Sequence, residues 1–151
     1  MFEGLFKILE NAQRLDEKEA FRLAVDEDVK KLIIHLNTII QLGEDGIDSE
    51  NDSLGDYSFF TIQKKSTEGV GIGRIVDHVT FYDTGKYWGS WTVDVVGDEI
   101  QIKVDKDRFD ELTDDLNFSD THVGLTDENI NKLAERMLPK YRDYAIRKIF
   151  K

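Results

Sequence analysis

The sequence predicts an α+β fold: a small antiparallel sheet with a central hairpin, packed by a long helix in the N-terminal half and a long C-terminal helix. Three observations predict it. Residues 16–42 carry Val25, Val29, Leu32, Ile33, Leu36, Ile39 and Ile40 at three- and four-residue spacing, the stripe of an amphipathic helix. Residues 87–96 and 99–105 alternate apolar and polar around "GD" at 97–98, a two-residue hairpin turn. Residues 124–150 begin with a capping threonine and end in lysine and arginine.

Taken in order, residues 2–12 read as a separate amphipathic helix, with Phe2, Leu5, Phe6, Ile8 and Leu9 apolar. Such a helix docks either on its own domain or on a partner. Gly43 is the expected stop of helix 16–42. Residues 43–56 hold three glycines and many acids without periodicity, and read as a flexible loop. "YSFFTIQ" (57–63) is aromatic and β-branched, which predicts a strand, and 64–76 reads as a second flexible connection. In 87–96, Tyr87, Trp91, Val93 and Val95 should share one face, opposite Trp88, Thr92, Asp94 and Val96. One tryptophan is then expected in the core and the other as an interface anchor.

Ile100, Ile102 and Val104 alternate with Gln101 and Lys103 in the next strand. Residues 106–115 suit a short acidic helix. In 124–150, Thr126 is the expected N-cap, and Ile130, Leu133, Met137, Tyr141, Tyr144 and Ile149 form the stripe. Pro139 is expected to kink or divide that helix. The 151 residues suffice for one domain with a real core.

Composition narrows function. No cysteine is present, which excludes disulfides, thiolate metal sites and a cysteine nucleophile. A net charge of -11 argues against general nucleic-acid binding, which needs clustered cations against phosphate. No apolar run reaches the length of a membrane span, and "MFEGLFKILE" does not read as a secretory signal. The charge is uneven. Acids concentrate in 44–56 and 105–115, while 132–151 is net positive. These read as solvated faces, or as complementary poles that join like subunits head to tail.

Several motifs invite chemistry. "VTFYDTG" (79–85) ends as the catalytic loop of an aspartic protease begins. Such an enzyme needs two carboxylates sharing a proton, and this chain has one Asp-Thr-Gly, so it would have to be a dimer. Lys86 follows Gly85, and the only apolar-glycine segment, "GIGR" (71–74), precedes the loop. The competing reading is a structural turn of Asp83, Thr84 and Gly85 that ends one strand and starts the next. "GVGIG" lacks the glycine spacing and following helix of a phosphate loop. The acidic stretches lack the sixth-position glycine of a calcium loop. His35, His78 and His122 fall at no metal-ligand spacing. No catalytic residue, metal or cofactor is expected.

Three stretches carry a resemblance: "LIIHLNTIIQLGEDGIDS" (32–49), "DHVTFYDTGKYWGSWTVDV" (77–95) and "VGLTDENINKLAERMLPKYRDYAIRKI" (123–149). In this order they look like small structural proteins of tailed phages and prophages. More distantly they resemble the virion-morphogenesis, or tail-completion, family. The likeness covers roughly residues 28–150 and leaves out 1–27. It implies a long helix on a small antiparallel sheet, assembly as a ring in the neck or at the tail end, and a structural turn at "DTGKYW". It also implies portal, neck or tail proteins as partners, besides copies of the chain itself. The virion would be its location, after assembly in the host cytoplasm. The interaction residues expected are Phe2, Phe6, Trp88, Arg142, Arg147 and Lys148. The alternatives are an acidic DNA-mimic inhibitor of a host DNA-processing enzyme and the dimeric protease.

Overall fold

The computed structural model describes residues 3–68, 71–116 and 118–150. Three successive helices open the chain: α1 (Glu3–Gln13), α2 (Glu17–Ala24) and α3 (Glu27–His35). The stretch read as one helix over 16–42 is therefore divided. Asp26 divides it by capping α3, its carboxylate accepting the Val29 amide at 3.0 Å. Asp16 caps α2 in the same way.

Beyond His35 the helix widens into a π-helical segment, Leu36–Asp45. Its i→i+5 bonding moves the inward face off the 3.6-residue stripe. Leu36, Asn37, Thr38, Gln41 and Leu42 are buried, while Ile39 and Ile40 are only half-buried. Gly46 ends the segment at φ +66, where a Cβ would lie 2.5 Å from the His78 ring. Only glycine fits there.

Residues 46–54 are not a loose loop. Ile47 pairs with Ser53 in an isolated bridge. The buried Asp48 carboxylate accepts the amides of Glu50 and Asp52, each at 2.9 Å, and the Thr121 hydroxyl. The expected strand 57–63 is instead helix α4 (Phe59–Glu68). Ser58 accepts the Thr61 amide at 3.4 Å, and Phe59 and Phe60 point to solvent. The segment does not pair with the two-stranded sheet, so its aromatic β-preference gains no cross-strand partner. A 3₁₀ turn, Gly71–Arg74, follows.

Residues 86–91 are not strand either. α5 (Lys86–Gly89) is a single helical turn, and the strand begins at Thr92. A helical turn brings Tyr87, Trp88 and Trp91 to one side, and all three are buried. The hairpin of β1 (Thr92–Val96) and β2 (Glu99–Lys103) is antiparallel, as expected, with Val93 opposite Ile102 and Val95 opposite Ile100. α6 (Lys106–Asp110) runs into a π turn, Glu111–Asp115, and a 3₁₀ turn, Asp120–His122, leads to the last helix.

That helix, α7 (Asp127–Ile149), is capped by Thr126, whose hydroxyl accepts the Asn129 amide. It is not divided at Pro139. Leu133 is buried and Met137 half-buried, but Ile130 is exposed.

Two apolar clusters hold these elements. One seals the hairpin against the helices: Val93 packs with Val25, Val29, Ile33 and Leu133. The other is aromatic, built from Phe81, Tyr87, Trp88 and Trp91 with Leu42, Val79 and Leu112. The architecture is a helical body carrying a two-stranded antiparallel sheet, an α+β fold with a long C-terminal helix.

Candidate interaction surfaces

A buried polar network joins the π-helical segment to the start of α7. Asn37 Nδ2 donates to the His122 carbonyl at 3.1 Å, and Asn37 Oδ1 accepts the Gly124 amide at 2.9 Å. Gln41 Nε2 donates to the Gly124 carbonyl at 2.8 Å. Gln41 Oε1 accepts the Thr126 amide at 2.9 Å and Asn129 Nδ2 at 3.3 Å. Two amide side chains thus satisfy backbone groups that the turn of 122–126 would otherwise bury unpaired.

His122 sits beside this network with no exposed surface. Its Nδ1 faces the Ser119 carbonyl at 2.6 Å, and because that oxygen can only accept, Nδ1 carries the hydrogen and donates it. Nε2 is then the acceptor for the Tyr87 hydroxyl at 2.8 Å. The ring stacks on Phe109 and leans on Phe81. Burial pushes the imidazole pKa below its ordinary value, and burial also raises that of Tyr87. The pair is held neutral, as a core hydrogen bond.

The Asp83-Thr84-Gly85 segment turns the chain into α5. Gly85 has φ +79, and a Cβ there would meet the Tyr82 hydroxyl at 3.0 Å. Neither flank is a strand, so the turn joins irregular chain to a helical turn. Asp83 is 69% exposed and lies 3.7 Å from Lys64. Phe81, just before it, has φ +54, an uncommon conformation for a bulky residue. Its ring is fixed against Phe118, with centroids 4.9 Å apart, and against His122 at 4.7 Å. Among the described residues, no group of three or more His, Cys, Asp and Glu is placed to hold a metal ion. Among them, too, no helix is long and apolar enough to cross a membrane.

The expected interaction residues divide. Phe2 lies outside the described residues. Phe6 is outward on α1, 69% exposed. Trp88 is not an anchor: it is 7% exposed, edge-on to Tyr82 at 5.0 Å within the aromatic cluster. Arg142, Arg147 and Lys148 are exposed on α7. Lys148 lies 3.7 Å from Glu19, whereas Arg142 and Arg147 have no ion pair among the described residues.

The larger outward aromatics were not anticipated. Phe59 and Phe60 are 74% and 81% exposed at the start of α4, and Leu116 is exposed near them. A groove of about 600 Å³ between α4 and α6 is lined by Tyr57, Phe60, Lys64, Arg108, Leu116 and Phe118, among others. At the far end of α7, Ile146 and Phe150 are also exposed. α1 packs there, its Asn11 Nδ2 donating to the Ile149 carbonyl at 3.1 Å. No protein-family model, curated protein or solved structure matches the chain.

Proposed function

We propose that the chain is a structural subunit of a tailed-phage virion, a head–tail connector or tail-completion ring subunit that acts by protein–protein binding. The observation that carries this reading is the outward apolar surface. Phe6 on α1, Phe59 and Phe60 on α4, and Ile146 and Phe150 at the end of α7 all face solvent beside a well-packed core. Exposed aromatic side chains of this kind are what interfaces use as anchors.

Of the order that carries the resemblance, the hairpin and the threonine-capped long helix are kept, while the aromatic stretch before the hairpin is a helical turn and not a strand. The contact surfaces belong to helices. Residues 46–54 are pinned by Asp48 and Thr121, so they present a fixed acidic edge rather than a loose arm. The turn at 83–85 is structural, its aspartate paired with a lysine.

Deleting the gene from the phage or prophage that carries it tests the role. Unjoined heads and tails, or tails with unfinished ends, are expected under the electron microscope, with infectious titre lost. Normal particles at normal titre would contradict the proposal.

A further inference from the structure

Lys65 is a charged side chain in an interior position. It sits on α4, is 9% exposed, and lines the groove between α4 and α6. Its Nζ donates to the Tyr82 carbonyl at 2.6 Å and lies 4.6 Å from the centre of the Tyr57 ring. That ring is itself fixed, because the Tyr57 hydroxyl accepts the Thr80 amide at 2.8 Å. Among the described residues, no carboxylate forms an ion pair with Lys65. The carbonyl takes one of the three N–H groups of the ammonium, and neither it nor the ring carries a net charge. A lysine this deeply placed is ordinarily matched by an acid, because an uncompensated charge is costly to take out of water.

The groove around it is built like a binding site. It encloses about 600 Å³, and Tyr57, Phe60, Tyr82 and Phe118 are among its walls. Apolar walls with a few placed polar groups are the usual construction of such a site. Its other cations, Lys64 and Arg108, are answered by Asp83 at 3.7 Å and Glu111 at 2.5 Å. Asp56 also lines the groove, but it is exposed and does not pair with Lys65. One flank is open: Phe60 is 81% exposed and Leu116 52%. An open-sided trough admits a chain running along it.

We propose that this groove docks an acidic, apolar peptide segment of another protein, with a carboxylate seated against Lys65 and aromatic or aliphatic side chains along Phe60, Tyr82 and Phe118. Charge complementarity selects the occupant. A carboxylate supplies the missing counter-charge and accepts N–H groups that the Tyr82 carbonyl leaves over, in hydrogen bonds of the stronger, charge-assisted kind. A basic segment is repelled by the same ammonium. A nucleic-acid strand is disfavoured by the net charge of -11 and by Asp56 and Asp83 on the walls. The inference rests on the protein-binding role proposed above. It gives that role a surface and a partner chemistry, and needs no particular place in the particle.

The test selects a yeast-displayed library of random peptides on the full chain and measures the recovered peptides by fluorescence anisotropy. Enrichment of aspartate or glutamate next to aromatic or aliphatic residues is expected. Replacing those acids by their amides should weaken binding at least about tenfold, as for a lost charge-assisted contact. Lys65→Met keeps the length of the side chain and removes its charge. It should weaken the acidic peptide at least about tenfold and leave the amide peptide unchanged, whereas a purely structural lysine would lower both alike. Where circular dichroism shows Lys65→Met unfolded, Phe60→Asp decides: it puts a repelling carboxylate on an exposed wall and should weaken the acidic peptide by a similar factor. Peptides without acid enrichment, tighter binding of a single-stranded oligothymidylate than of any peptide, or an unchanged affinity in the deciding variant would each overturn the proposal. So would self-association that Phe60→Asp abolishes, since it assigns the groove to a second copy. A chain that captures acidic peptides yet is missing from virions keeps this site and loses the virion role. A chain located in virions that selects no acidic peptide does the reverse.

Discussion

Replacing Gln41 by alanine should remove a large part of the stability of this protein. Gln41 has no exposed surface, and its amide serves three groups: the Gly124 carbonyl, the Thr126 amide and Asn129 Nδ2. Truncation strands two backbone groups in the interior. At about 1 kcal/mol each, the low end for an unsatisfied buried group, they cost about 2 kcal/mol. The vacated space adds about 2 kcal/mol, the low end of large-to-small core changes. The expected loss is about 4 kcal/mol against a total of roughly 5–15 for a domain of this size. Urea unfolding followed by tryptophan fluorescence is the assay, because Trp88 and Trp91 are both buried and report loss of the aromatic cluster. Gln41→Met, which refills the space without the hydrogen bonds, should recover about half the loss. A midpoint for Gln41→Ala equivalent to wild type within about 0.5 kcal/mol would refute the reasoning, since that is the range of an ordinary surface substitution.

Other expectations follow from the same contacts. Stability should fall as pH drops below about 6.5, the ordinary histidine pKa, because unfolding lets His122 take up a proton that burial denies it in the native state. The slope is at most about 1.4 kcal/mol per pH unit, and His122→Gln should flatten it; an unchanged slope in urea titrations would show that His122 is not its source. Gly46→Ala forces a Cβ into a left-handed residue against the His78 ring, and a loss of more than about 1 kcal/mol is expected on thermal melting. Asp83→Asn should change stability by less than about 0.5 kcal/mol, because it weakens one exposed ion pair. Acid-pH peptide cleavage by the wild type, lost in that variant, would reinstate the protease reading. Self-association should slow at high salt without vanishing, because charge speeds the encounter and apolar anchors hold the contact; stopped-flow rates independent of ionic strength would remove the charge guidance.

Legibility in the sequence varied by element for physical reasons. α7 was readable because its threonine cap, acidic first turn and basic last turn all lie in one continuous stretch. The hairpin was readable because Val93, Val95, Ile100 and Ile102 alternate on either side of a two-residue turn. α4 reads as strand because strand preference records how side chains pack in a sheet, and "YSFFTIQ" pairs with neither strand of the hairpin. Asp26 lay within a helical stripe, and its capping role needed only the aspartate three residues before Val29 to be noticed. The π-helical turn was hidden because a 3.6-residue count assumes the bonding that changes there.

The polar network did leave a trace. Asn37 and Gln41 follow Ile33 at four-residue steps, so they lie on the buried face where an amide needs a partner. The partners, in 122–126, are far away in sequence and could not be named. Trp88 falls on the wrong face when 87–91 is read as strand, because a helical turn brings residues three and four apart, Trp88 and Tyr87 with Trp91, to one side, whereas a strand alternates them. Phe6 and the α7 cations were readable as exposed because charge and amphipathic patterning are local. Phe59 and Phe60 were not, because their exposure depends on α4 being helical.

The most direct measurement is the copy number and position of this chain in intact particles. Quantitative mass spectrometry of purified virions, with gold-labelled antibody under the electron microscope, supplies both. A small fixed number of copies per particle is expected, with label at the head–tail junction or the tail end. Particles of full infectivity that carry none of the chain would contradict it.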